Sequence, residues 1–305
     1  MLRLNRLKIE ASVAVLATMI ASSWPAVAQT MTQGFDTSAV TINEELAARV
    51  PADIREAGVL VAGSDNDYAP WEYLAGDDGQ TPEGIDIDVG NAIAAKLGLT
   101  YESRTAQFTT ILPALGTNYD IGVSAFSITP ERAEVVNFVS YAETGNEWII
   151  RASNPDAFDP ADLCGKQIAV QGGSRHEERL LMVNQECVAA GKPEMELLPF
   201  RTQTEAVTRV SAGGAVATIT GSATALYAAF VSNDTLETVR AVGDSLDVRG
   251  LNGIAVPKAD MELTQLIADT LNELIADGTY MAILDAWGMG QVAVAEAQVN
   301  PVGEH

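Results

Sequence analysis

The chain has 305 residues with 18 basic against 41 acidic side chains, a formal net charge of −23, and 47% hydrophobic residues. A surface of that sign repels nucleic acid and anionic lipid headgroups, and the length allows one large domain or two medium ones. Two cysteines and two histidines leave no cluster of Cys, His and carboxylate spaced for a metal site.

Residues 1–28 read as a cleavable secretory signal: Arg3, Arg6 and Lys8, an apolar run from Ala11 to Ile20, then small residues in Ala26-Val27-Ala28. The run is too short to cross a bilayer, which takes about 20 apolar residues. No cysteine lies near the cleavage site, so no lipid anchor is expected there. Removing Arg3, Arg6, Lys8 and Glu10 leaves 15 basic and 40 acidic residues, a net charge of −25. Residues 29–50 read as a lead-in with little packing signal.

Strand-like and helix-like segments then alternate. Val59–Ala62 reads as a strand, Val89–Leu97 as a helix, Thr109–Leu115 as a helix and Ile121–Ser124 as a strand. The rhythm restarts after Ile150: strand Gln167–Val170, helix His176–Ala189, strand Glu196–Leu198, helix Thr204–Ser211, strand Ala217–Ile219. Ala268–Ile275 and Thr279–Trp287 read as closing helices, and the tail from Val292 to His305 as weakly packed. Alternation of this kind predicts an α/β architecture with central sheets.

Two short apolar segments, Glu147–Ile150 and Gly253–Val256, bracket a block of about one hundred residues. If that block is a second lobe inserted in the first, both segments are crossovers and together form a hinge over a cleft. The expected division is 51–145 with 254–305 as lobe 1 and 146–253 as lobe 2. The block carries both cysteines, Cys164 and Cys187, and an even pair in an exported chain reads as a disulfide.

Gly84-Ile85-Asp86-Ile87-Asp88-Val89, followed by Ile93, Ala94 and Leu97, resembles the signature of bacterial extracellular solute-binding protein family 3. Further landmarks fall in order: Ser64-Asp65, Tyr68-Ala69-Pro70-Trp71, Phe108 to Leu115, Ser127 to Arg132, Val170 to Ser174, Gly253 to Lys258, and Leu274 to Tyr280. The resemblance covers roughly residues 52–290. It implies a periplasmic-binding-protein-like fold of type II, with two α/β lobes joined by two crossover strands. It also implies a monomeric receptor in the periplasm or outside the cell, with no cofactor. Such a receptor delivers a polar amino acid or related carboxylate to an ABC permease in the inner membrane.

The resemblance assigns site residues one by one. Arg132 is expected to grip the ligand's carboxylate, because a guanidinium presents a planar fork that stays charged. Ser127 and Ser124 are expected beside it. Tyr68 and Phe108, with Trp71 less firmly placed, are expected to wall the ligand's apolar stem. Asp65 matches a position that meets the ligand's polar end. Gly173, Ser174 and Arg175 match the second lobe's contact loop, and His176 beside them is expected to be exposed.

Asp86 and Asp88 are expected to cap a helix or hold the lobe together rather than do chemistry. One departure bears on ligand choice: family members usually carry an aspartate at the position of Gly221 to hold an α-ammonium. Thr220-Gly221-Ser222 supplies hydroxyls and no carboxylate. The competing readings are a periplasmic enzyme on the same scaffold, resembling cyclohexadienyl dehydratase, and a sensor that presents ligand to a membrane receptor.

Overall fold

The computed structural model describes residues 34–301. The signal segment 1–28, the first residues of the lead-in and His305 lie outside the described residues.

Two short helices, α1 (Glu44–Ala47) and α2 (Ala52–Ala57), lead into the strand β1 (Val59–Ser64). A small antiparallel sheet follows, made of β2 (Asp67–Tyr68), β3 (Glu72–Ala75) and β4 (Thr81–Glu83). Helix α3 (Ile85–Lys96), β5 (Thr100–Thr105), α4 (Phe108–Ile111), β6 (Ile121–Gly122), α5 (Pro130–Val135) and β7 (Val136–Thr144) complete the first pass. Next come β8 (Asn146–Arg151), β9 (Gln167–Gln171), α6 (Arg175–Ala189), β10 (Glu196–Phe200) and α7 (Gln203–Ser211). After them run β11 (Ala217–Gly221), α8 (Ser222–Val231), β12 (Leu236–Arg240), β13 (Gly250–Pro257), α9 (Met261–Ala276) and α10 (Thr279–Ala286).

These strands form two five-stranded sheets, in the orders β5-β1-β6-β13-β7 and β10-β9-β11-β8-β12. Each sheet has three parallel strands built from βαβ crossovers, then one strand that runs against them and an edge strand paired antiparallel to it. The chain passes between sheets twice: at Gly145, between β7 and β8, and through residues 241–249, between β12 and β13. This is the two-lobed arrangement of the type II binding fold. Hydrophobic side chains pack on both faces of each sheet, around Leu60, Trp71, Ile93, Tyr141 and Trp287 in the first lobe and Trp148, Ile168, Leu180 and Ile219 in the second. The disulfide joins Cys164 to Cys187 within the second lobe.

The entry to α3 requires a glycine. Gly84 has φ +133°, and a Cβ there would stand 2.2 Å from the carbonyl oxygen of Trp71. Asp86 and Asp88, just beyond it, do not cap their own helix. Asp86 accepts from the Ala125 amide (2.8 Å) and the Tyr141 hydroxyl (2.5 Å). Asp88 accepts from the Phe35 amide (2.9 Å) and the Trp287 indole (2.7 Å). They satisfy buried donors from distant elements, so their work is to hold the first lobe together.

The ends of the chain correct the expectation of weak packing. Leu46 and Val50 from the lead-in, and Val292 and Ala297 from the tail, are buried in the first lobe's core. The tail also lies along the edge strand β7: Val299 bridges Val139, and Asn300 exchanges bonds with Phe138 through both its amide and its side chain. An edge strand presents unpaired backbone groups, and covering them needs no helical or alternating pattern, which is why the sequence pattern is silent there.

Candidate functional site

Parallel strands of α/β sheets end at the crevice where ligands bind, and here the carboxyl ends of both parallel sets face each other. From the first lobe, β1 delivers Asp65 and β6 leads into Ser124, Ala125 and Ser127. From the second, β9 ends at Gln171 and opens into α6 through Gly172-Gly173-Ser174, while β11 ends at Thr220 and Gly221. Asp65, Tyr68, Glu72, Phe108, Ser124, Ala125, Ser127, Arg132, Gln171, Ser174, Arg175 and His176 line one cavity of about 30 Å³.

The cavity is narrow because the lobes touch directly. The Tyr68 hydroxyl lies 2.7 Å from Thr220 Oγ1 and accepts from the Gly221 amide at 3.3 Å. Gln171 Nε2 donates to Asp65 Oδ2 at 2.9 Å. Arg132 spans the gap: Nη1 donates to the Ser127 carbonyl (3.0 Å) in its own lobe and Nη2 to the Gly173 carbonyl (3.1 Å) in the other.

Arg132 is positioned by local structure. Thr129 caps α5 by accepting from the Arg132 amide at 3.3 Å, and Pro130 stands at the first helical position. The guanidinium carbon sits 5.4 Å from the Phe108 ring centre and 6.0 Å from that of Phe126, and the two rings stack at 5.0 Å. Burial lowers its pKa to about 10, which leaves it charged at neutral pH. Among the described residues no carboxylate comes within 4.0 Å of it.

A chain of buried acids underlies the first-lobe side. The Asp65 amide donates to Ser124 Oγ (3.0 Å), and that hydroxyl donates to Glu72 Oε1 (2.6 Å). Burial, and then Asp86 beside it, pushes the Glu72 carboxyl well above its usual range. Burial and then the Asp67 charge push Asp65 up to about 6. No group of three or more His, Cys, Asp or Glu placed to hold a metal ion occurs among the described residues.

Most of the residues expected from the sequence meet in or beside this cavity. Gly173 contributes its carbonyl, and Gly221 stands behind the Tyr68 hydroxyl, which a Cβ at that position would meet at 3.4 Å. Trp71 is not brought there: it is 1% exposed and packs edge-on to Tyr141 at 5.9 Å, inside the first lobe. His176 is not exposed either. Its Nε2 pairs with Asn146 Oδ1 at 3.0 Å, and burial beside Arg175 and Arg179 lowers its pKa to about 3, so it is neutral. Glu72 and Gln171 were missed. Gln171 stands at the end of a parallel strand, a position that marks the crevice. Glu72 carries no comparable signal, since its neighbours in sequence read only as part of an aromatic segment.

Residues 60–291 match the bacterial extracellular solute-binding proteins, family 3. The arginine-binding protein ArgT of Corynebacterium glutamicum is 31% identical over 84% of this chain and 83% of its own length. The amino acid ABC transporter substrate-binding protein AbpA of Streptococcus pneumoniae, solved bound to L-arginine, is similar with a TM-score of 0.68 and 25% identity. That match covers 79% of this chain and 99% of AbpA. The ancestral amino acid-binding protein AncCDT-1, a precursor of cyclohexadienyl dehydratase, is similar with a TM-score of 0.65 and 29% identity, over 77% of this chain and 97% of its own. The chain belongs to the bacterial extracellular solute-binding proteins, family 3.

Proposed function

We propose that this protein captures a polar amino acid or an amino-acid-like carboxylate between its lobes and presents it to the permease of an ABC importer. The observation that carries the reading is the Arg132 guanidinium, held at the lobe boundary by one carbonyl from each lobe. A ligand carboxylate entering the cleft replaces the Gly173 carbonyl on that fork, and a charged acceptor makes the stronger bond. Tyr68 and Phe108 flank the ligand, and Ser127 and Ser174 offer hydroxyls near Arg132, while the Ser124 hydroxyl is already given to Glu72.

The lobes divide near Gly145 and within residues 241–249, and they open and close about those two passages. Ligand shifts the balance toward closure because both lobes touch it only when shut. The protein acts as a monomer on the far side of the inner membrane, exported by the signal in residues 1–28. It is a binding protein and not an enzyme, in keeping with ArgT and AbpA, which are named for what they bind.

Thermal unfolding in the presence of amino acids and their decarboxylated amines tests this. A ligand bound to the folded state raises the midpoint by mass action. Carboxylates should raise it and the matching amines should not. If the amines stabilise equally, or if no amino-acid-like carboxylate does, the reading fails.

A further inference from the structure

Arg175 is the first residue of α6 and only 7% exposed. It lines the same cavity as Arg132, Ser127 and Ser174. Among the described residues no carboxylate lies within 4.0 Å of its guanidinium, and no hydrogen bond between side chains supports it. The charges that act on it are two further cations, Arg179 and Arg132, with Glu178 opposing them. A guanidinium cannot shed its proton to escape such a site, and an unpaired buried charge is costly.

The surroundings are shaped for that side chain. Gly250, where the chain re-enters the first lobe, makes room for it: a Cβ at Gly250 would stand 2.2 Å from Arg175 Nη1. Ser174 caps α6 by accepting from the Glu177 amide, so the amides of Arg175 and His176 have no acceptor within the helix. The amino end of a fifteen-residue helix adds partial positive charge at the same wall.

Little in the lining offsets this. His176 is neutral, and burial beside Asp86 pushes the Glu72 carboxyl well above its usual range. Asp65, charged above about pH 6, is bonded to Gln171 and makes no ion pair with Arg175. Position 221, at the end of β11, has no carboxylate, and a side chain there would face the hydroxyls of Tyr68 and Thr144.

We propose that Arg175 and the amino end of α6 receive a second anionic group of the ligand, so that the cleft selects amino-acid-like ligands bearing two acidic groups. This rests on the reading of the cleft as a carboxylate-binding site with Arg132 as its first anchor. Arg175 is the specificity determinant: it separates an acidic ligand from its uncharged isostere, whereas Arg132 serves both.

Calorimetry of the mature protein with isosteric pairs is the test: L-glutamate against L-glutamine and L-aspartate against L-asparagine. The acidic member of at least one pair should bind roughly tenfold tighter or more, in line with a desolvated charge pair. Arg175→Gln should remove most of that difference and leave the amide partner's affinity within about threefold. Should Arg175→Gln fail to fold, the wild-type ratio decides alone. It should shrink with added salt if Arg175 sets it. Amides that bind as tightly as their acids in every pair, or an Arg175→Gln variant that weakens both members equally, overturn the inference and leave the carboxylate reading intact. Absence of binding by every member of the panel defeats the carboxylate reading itself, and the inference with it.

Discussion

The Tyr68 hydroxyl and Thr220 Oγ1 stand 2.7 Å apart on opposite lobes, so a hydrogen bond joins the end of the small hairpin sheet to the end of β11. The same hydroxyl accepts from the Gly221 amide, and Tyr68 therefore closes the cleft as well as walling it. A neutral hydrogen bond of this kind contributes about 1 kcal/mol. Tyr68→Phe should weaken ligand binding by about fivefold, chiefly through faster release, with the fold unchanged. Stopped-flow release kinetics would show it. A variant with wild-type release would mean that this contact does not hold the lobes shut.

Asp65 gives the protein a specific pH dependence. Its carboxyl holds a proton up to about pH 6 in the folded protein, against 3.8 for the ordinary side chain, because it is buried near Asp67. Folding therefore takes up a proton between those values. The stability this contributes is full below about pH 3.8 and is lost as pH rises through 6. Asp65→Asn keeps an acceptor for Gln171 and removes the buried charge. It should stabilise the protein at pH 7.5 by about 2–3 kcal/mol and by close to nothing at pH 4. Chemical denaturation at the two pH values checks it. Equal effects at both would show that Asp65 ionises normally.

The disulfide between Cys164 and Cys187 closes a loop with a sequence separation of 23, away from the cavity. Replacing both cysteines by alanine should cost about 3 kcal/mol in the chain-entropy account. Ligand affinity should stay within about twofold, because the pair touches none of the cleft residues. Thermal unfolding and calorimetry on the double variant measure both quantities. A large loss of affinity in a folded variant would tie the disulfide to the site.

Much of this architecture was legible because periodicity and alternation report packing faces. β1, α3, β9, α6, α7, β11 and α10 fall within a few residues of where the pattern places them. Elements that owe their shape to a neighbour were not legible. The hairpin sheet β2-β3-β4 is too short for alternation to show, and the tail along β7 is held by backbone pairing that any sequence can make. In the site, Arg132, Tyr68, Phe108, Ser124, Ser127 and Ser174 were named from the resemblance, and the structure places them around one cavity. Trp71 shares a motif with Tyr68, yet it lies three residues on and across the hairpin turn, so it faces the lobe's interior. Glu72 was invisible since its role depends on Ser124 and Asp86, which reach it only through the fold.

Calorimetry of Arg132→Ala with the tightest carboxylate ligand found for the wild type decides whether this guanidinium holds the ligand. The account places that guanidinium as the anchor of the ligand carboxylate, so the substitution should cost about 2–5 kcal/mol of binding, or roughly thirty-fold to several thousand-fold in Kd. Circular dichroism should show the variant folded, since α5 keeps its Thr129 cap and its Pro130 start. A folded Arg132→Ala protein that binds the same ligand with wild-type affinity would contradict the account.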